Sequence, residues 1–386
     1  MMTSRQRLLA ALQRRQPDRL PVTTHHVMDS YLESNLGGAS RMEFFDRYGL
    51  DPILWTVPHR PAPDAGEYSD PNQGPPGFLE STRVSHDNWR VISEPIPNPD
   101  YLTTRYRFVT PRGELGMVLQ DDGKSAWVSE HLIKNKSDIE LIAEFATAPK
   151  CDVDEVNRQA AEFGESGIVR GHICCFDVFG QPGTWQDACC LFGTQELIME
   201  TFDDPGWVHE LLEILLSRKL TFTRSLQGAA YDLLELGGGS ASSTVISPEL
   251  FEQYVAPYDS RIIEAAHQAG QRIAYHLCGG IMPMLELTAA MGPDAIETFT
   301  PPEMGADTDL ADAKKRIGDK VCMIGGFDQG HYFTGCTPEE TRSEVLRCFE
   351  QAGGSGGYIL APSDHFFEAD DNLMRAFAAA AAECVY

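Results

Sequence analysis

Eight short strand-like segments recur along this chain, and helical patterns lie between most of them. The segments are residues 20–24, 52–56, 167–171, 232–236, 272–276, 295–298, 321–325 and 358–361. Helical periodicity runs through residues 194–201, 205–226, 248–269, 282–291, 308–316 and 338–351, and a last helix is expected over 371–383. An amphipathic helix is also expected over residues 3–14, with Ser4 or Thr3 as its cap, Leu8, Leu9 and Leu12 on one face, and Pro17 ending it. Eight strands alternating with helices predict an α/β fold, the (β/α)8 TIM barrel. A doubly wound open sheet would want a glycine-rich phosphate turn after an early strand. Gly237-Gly238-Gly239 follows the fourth strand instead and lacks that spacing. With 386 residues and 42% hydrophobic content, the chain can fill a single barrel domain over 1–386.

One stretch breaks the alternation. Residues 57–130 are rich in Pro, Asp and Gly, then show β patterning at 104–110 and 117–120. Pro111-Arg112-Gly113 and Asp121-Asp122-Gly123 are turn signals. Trp89, Tyr101, Tyr106, Phe108 and Trp127 argue for a folded excursion rather than a disordered loop. The stretch leaves the C-terminal end of strand two, so a hairpin-rich insertion is expected over the barrel mouth.

In a barrel of this kind the C-terminal ends of the strands face the active site. Those ends carry His25 and His26 at strand one, Trp55 at strand two, His172 at strand three and Glu235 at strand four. His276 and Cys278 follow at strand five, Glu297 at strand six, Asp328 at strand seven, and Asp364 with His365 at strand eight. In the run Tyr275-His276-Leu277-Cys278-Gly279-Gly280, positions i and i+2 point the same way, so His276 and Cys278 lie side by side. An imidazole and a thiolate so placed suit Zn²⁺, which takes N and S ligands tetrahedrally. Blander roles compete. Adjacent His25 and His26 cannot both point inward, so one is expected to be structural. Glu297 reads equally as a paired structural carboxylate, Asp328 as a residue that fixes its own loop, and Asp364-His365 as a cap on the final helix turn. So many titratable groups at one end still mark the place where metal and acid/base chemistry would be built.

The formal charge of −26 argues against nucleic acid or an anionic membrane as a partner. Ten cysteines include the adjacent pairs Cys174-Cys175 and Cys189-Cys190, which do not look like a disulfide framework. The first residues, Met1-Met2-Thr3-Ser4-Arg5-Gln6-Arg7, hold no apolar leader, and no run approaches the ~18–20 apolar residues of a membrane span. A reduced, cytoplasmic protein is expected, with most cysteines acting as small buried hydrophobes.

Several stretches, in this order, resemble the uroporphyrinogen decarboxylase superfamily. They are Arg5 to Leu12 with Pro17-Asp18-Arg19-Leu20-Pro21, Ile246-Ser247-Pro248-Glu249-Leu250-Phe251 through Ala256-Pro257-Tyr258, His276-Leu277-Cys278-Gly279, Gly325-Gly326-Phe327-Asp328, and Gly357-Tyr358-Ile359-Leu360-Ala361-Pro362. The superfamily includes the decarboxylase, the zinc-dependent methylcobamide:coenzyme M methyltransferases and the methyltransferase components of corrinoid-dependent O-demethylases. The resemblance implies the barrel fold. The decarboxylase branch carries an arginine-bearing loop after strand one, where this chain reads Thr23-Thr24-His25-His26-Val27-Met28. It also carries a Ser-Asp pair at strand two, where this chain reads Leu54-Trp55-Thr56-Val57, and a tyrosine after strand three that falls on Ala188. A polyanionic porphyrinogen would lack cationic anchors here.

Similarity to the methyltransferase branch implies zinc ligands at His276 and Cys278. The third ligand of that branch is a cysteine after strand eight, and Asp364 stands in its place. A His/Cys/Asp set would make the metal harder and favour an oxygen substrate. The implied enzyme moves a methyl group between a small methoxylated or thiol substrate and a corrinoid on a partner protein. His365 or Glu235 would supply the proton, and His25, His26, Trp55, His172, Glu297 and Asp328 would line the substrate site. A metal-free decarboxylase or lyase acting on a small acid is the alternative, and a non-catalytic binding protein a third. Pairing into a homodimer is left open.

Overall fold

Seven of the eight expected strands form one parallel sheet, ordered as they occur in the chain: Ile53–Trp55, Ile168–His172, Leu233–Gly237, Ile273–His276, Ala295–Thr298, Cys322–Gly325 and Tyr358–Ile359. The computed structural model describes residues 1–60 and 83–386 and the backbone of Tyr68–Ser69. Residues 61–67 and 70–82 of the expected insertion lie outside the described residues. Six of these strands are buried at every position, because helices cover their outer face and side chains fill the inside. The sheet is curled, and the architecture is a TIM-barrel-like α/β fold.

The first expected strand, 20–24, is not a regular strand. Pro21 has no N–H to give to a ladder. The segment keeps an isolated parallel bridge between Val22 and Leu360, with Thr23 N–H donating to Leu360 O (3.0 Å) and Leu360 N–H to Pro21 O (2.9 Å). On its other side Asp51 N–H donates to Val22 O at 2.7 Å, so the segment is bonded to both edges of the seven-stranded sheet. His25 and His26 follow it directly.

The helices follow the sequence patterns closely in places. Thr3 caps Ser4–Leu12 in a reciprocal capping box with Gln6. The last helix is Asp371–Glu383. The single helix expected over 248–269 is two, Pro248–Tyr254 and Ala256–Gln268. Pro257 cannot donate to the preceding turn, so the chain restarts there. Helices Asp29–Leu36 and Arg41–Tyr48 were not expected.

Between Ile53–Trp55 and Ile168–His172 a four-stranded antiparallel sheet forms from Arg90–Ile96, Leu102–Thr110, Gly113–Asp121 and Ala126–Glu130. Both expected turns fall between its strands. Trp89 and Phe108 pack on Phe176, in the loop after Ile168–His172, and the Trp89 indole donates to Asp177 at 2.6 Å.

Among the described residues no helix is long and apolar enough to cross a membrane. All ten cysteines are free thiols, and seven are buried.

Candidate metal centre and active site

Ile273–His276 ends in the turn that presents the two residues expected to bind metal. His276 is nearly buried and Cys278 half-buried. Gly279 turns the chain at φ +117°, and a side chain there would meet Ser242 Oγ at 2.6 Å. Ligand atoms of His276, Cys278 and Asp364 all lie within 4.8 Å of one another. One nitrogen, one sulfur and one oxygen in such a cluster suit a zinc ion that keeps an open position. Asp364 is held by its neighbour: His365 Nδ1 lies 2.7 Å from Asp364 Oδ1. Burial alone would raise the Asp364 carboxyl, but the bond and charge of His365, with His276 and His25, bring it below the usual carboxylate range.

Below this triad lies a second cluster. His25, Glu235, His276 and Glu297 bring ligand atoms within the same 4.8 Å. His25 Nε2 is 2.7 Å from Glu235 Oε2 and 3.2 Å from Glu297 Oε1. His276 Nδ1 is 3.3 Å from Glu297 Oε1. Arg170 closes the group by gripping both oxygens of Glu297 at 3.0 Å, with Glu235 at 3.9 Å. The guanidinium also sits 5.0 Å from the Trp55 ring centre. Burial raises the Glu235 carboxyl, with the Glu297 charge adding to it. Burial pushes Glu297 the same way, but Arg170, His25 and His276 outweigh it and hold that carboxylate well below its usual range. Burial lowers His25 to about 3, so its imidazole is neutral. For His276, burial is outweighed by Cys278, Glu235 and Glu297, and its affinity for a proton rises.

The remaining expected residues separate. His26 packs edge-on against Trp55 at 4.2 Å between ring centres, so of the adjacent histidines it is His25 that enters the cluster. His172 lies 6.3 Å from Trp55, between ring centres; its Nδ1 donates to Ile173 O at 2.9 Å, and burial lowers it to about 4. Asp328 is not in either cluster: it caps the Gln329–Tyr332 turn by accepting from His331 N–H at 3.0 Å. It lines a separate open cleft of about 1050 Å³ with Pro302, His331 and Arg347.

Sequence reasoning missed Arg170 and Gly239. Arg170 stands inside a strand rather than at its end. A charge in the middle of Ile168–His172, a strand buried throughout, was the available signal. Gly239 belongs to the glycine run set aside as a non-phosphate turn. A side chain there would meet Cys278 Sγ at 2.7 Å, and one on Gly237 would meet His276 O at 2.3 Å. The run makes room for the His-x-Cys turn. Thr298, just after Glu297, is held at φ +94°, a strained value for a β-branched residue, and its hydroxyl donates to Leu277 O at 2.8 Å.

A profile of the family described as uroporphyrinogen decarboxylase (URO-D) matches residues 180–381, more than half of the chain. The chain belongs to the uroporphyrinogen decarboxylase family. Among curated members it is 30% identical over 207 residues to a uroporphyrinogen decarboxylase of Aliivibrio salmonicida, covering 50% of this chain and 54% of that protein. It is 25% identical over 167 residues to the uroporphyrinogen decarboxylase of Hydrogenovibrio crunogenus, covering 41% and 43%. The matched region thus spans about half the length of these relatives. A solved methyltransferase from Methanosarcina mazei shares the fold, with a TM-score of 0.64, 14% identity and 99% of each chain covered. This chain's His276-Leu277-Cys278 and Asp364-His365 both fall inside the matched region.

Proposed function

We propose that this member of the family is a zinc-dependent methyltransferase that passes a methyl group from a small methoxylated donor to a corrinoid carried by a partner protein. The observation that carries the reading is the convergence of His276, Cys278 and Asp364. A zinc ion held by these three residues would supply Lewis acidity to an ether oxygen, or hold a thiol as thiolate in the reverse direction. A reduced corrinoid would supply the nucleophile for the methyl group, and the donor oxygen left behind as an oxyanion would need a proton. Glu235, buried and bonded to His25, holds its proton more tightly than an ordinary carboxyl and is one donor; His365 is the other. Trp55, His26 and His172 form an aromatic wall on which a ring could lie. The antiparallel sheet, through Trp89 and Phe108 on Phe176, is read as the outer wall of the mouth.

A metal-free decarboxylase or lyase is the second reading, and similarity to relatives named uroporphyrinogen decarboxylase favours it. The two separate in one experiment. Zinc-loaded protein is mixed with cob(I)alamin and a methoxylated aromatic, and in parallel with uroporphyrinogen. Methyl-transfer activity predicts the methylcobalamin spectrum in the first mixture and no CO₂ from the second. Decarboxylation without methylcobalamin would overturn the first reading.

A further inference from the structure

We propose that one water molecule sits beneath the site, held by Thr23, Thr24 and Arg170, and that it fixes His25 in the tautomer whose Nε2–H points at Glu235. The inference goes beyond the methyl-transfer reading and holds whichever reaction the site performs.

A cavity of about 10 Å³ is lined by Thr23, Thr24 and His25 of the irregular first segment, by Arg170 and Glu297, and by the residues that follow the last strand. At four of these residues a buried polar atom has no hydrogen-bond partner among the described residues: Thr23 Oγ1, Thr24 Oγ1, His25 Nδ1 and Arg170 Nε. Thr23, Thr24 and Arg170 are each at most 2% exposed, so bulk water does not reach them. Four such groups around one small space are costly unless something there bonds to them. About 10 Å³ is at the lower edge of what one water needs, and it excludes a metabolite or a hydrated ion. Arg170 disfavours a bare cation in that space and Glu297 an anion. Water both donates and accepts, as this set requires. It can accept from Arg170 Nε–H and one threonine hydroxyl, and donate to the other threonine and to His25 Nδ1.

The consequence falls on His25. Its Nε2 lies 2.7 Å from Glu235 Oε2 and 3.2 Å from Glu297 Oε1. Glu297 is clasped by Arg170 and has no proton to offer, so Nε2 faces it best with an N–H of its own. Which imidazole nitrogen carries the proton is set by the bond the other one makes. A water donating to Nδ1 keeps the proton on Nε2. Glu235 Oε2 is then an acceptor, and a proton carried by Glu235 sits on Oε1. In the opposite tautomer Nε2 would draw that proton to itself. Thr23 and Thr24 are thus positioning residues that act on Glu235 through the water and His25.

Two measurements on the full parent chain test this. A high-resolution crystal structure should show one water within hydrogen-bond reach of Arg170 Nε and His25 Nδ1. Nitrogen-15 NMR of labelled histidine rings, with the His25 signals assigned by their loss in His25→Gln, should show a proton on Nε2 and none on Nδ1. An empty cavity, a proton on Nδ1, or a ring protonated at both nitrogens overturns the proposal. Thr23→Val/Thr24→Val keeps the side-chain shape and removes both hydroxyls. The His25 signals should then move to a mixture of tautomers, and Thr23→Ser/Thr24→Ser should keep the parent pattern. A folded valine variant with the parent pattern, or a serine variant that behaves like valine, would contradict the positioning role. If the double valine variant does not fold, Thr24→Val alone carries the same expectation.

Discussion

The triad of His276, Cys278 and Asp364 and the cluster of Arg170, Glu297, Glu235 and His25 differ in almost every physical respect although they share His276. The Asp364 side chain is 26% exposed, whereas that of Glu297 is 2% exposed. The triad mixes nitrogen, sulfur and oxygen donors and has no Lys or Arg in contact among the described residues. In the deeper cluster Arg170 occupies the position a cation would take, and both oxygens of Glu297 are engaged by it. One set of ligand-type residues is thus open for a metal, and the other is already neutralised from within. Proximity of His, Asp and Glu alone would not distinguish them; the neighbouring guanidinium does. Glu297 lies 3.3 Å from His276 Nδ1, and if His276 binds a metal this contact would orient its ring, as a carboxylate does for a metal-binding imidazole.

Breaking the deeper cluster should have the largest effect on stability. Arg170→Met leaves Glu297 charged in a buried site, and a broken buried pair of this kind costs about 3–5 kcal/mol. Thermal unfolding should show a drop of several degrees or more, and Asp364→Asn, at the half-exposed end, should move the transition far less. Equal losses would erase the distinction drawn between the two regions. A subtler change tests the packing beneath the triad. Gly239→Ala places a Cβ 2.7 Å from Cys278 Sγ, so zinc affinity, read by competition with a chelating dye, should fall about 10-fold with the fold intact. Unchanged affinity would mean that the glycine run has no part in setting the thiolate. The smallest effect is expected from Asp364→Cys, which makes the donor set softer. The ratio of cadmium to zinc affinity should rise, while thermal stability without metal stays within about 1 kcal/mol.

Much of the barrel was legible because its strands are short, apolar and regularly spaced. Ala295–Thr298 and Asp371–Glu383 begin and end where their patterns do. Irregularities arose where proline removed a donor, at Pro21 and Pro257, and those sites blurred a strand and split a helix. The helices at Asp29–Leu36 and Arg41–Tyr48 stop at glycines in the left-handed conformation, Gly37 and Gly49, a signal present in the sequence but outweighed by their short apolar faces. At the site, strand ends pointed to His276, Cys278, Glu235 and Glu297, which the structure brings into two adjoining clusters. They were a poor guide to Arg170, whose role depends on which residues lie across the barrel. That partner is fixed by sheet register, which no local pattern in the chain specifies.

We propose that His276, Cys278 and Asp364 hold a metal. Elemental analysis of the purified protein beside a His276→Ala/Cys278→Ala double variant tests it most directly. About one zinc per chain is expected in the parent, as a single structural or catalytic site requires, and its loss in a variant that still folds. Zinc retained by the double variant, or a parent that takes up none when supplied with it, would rule out a metal site at these residues.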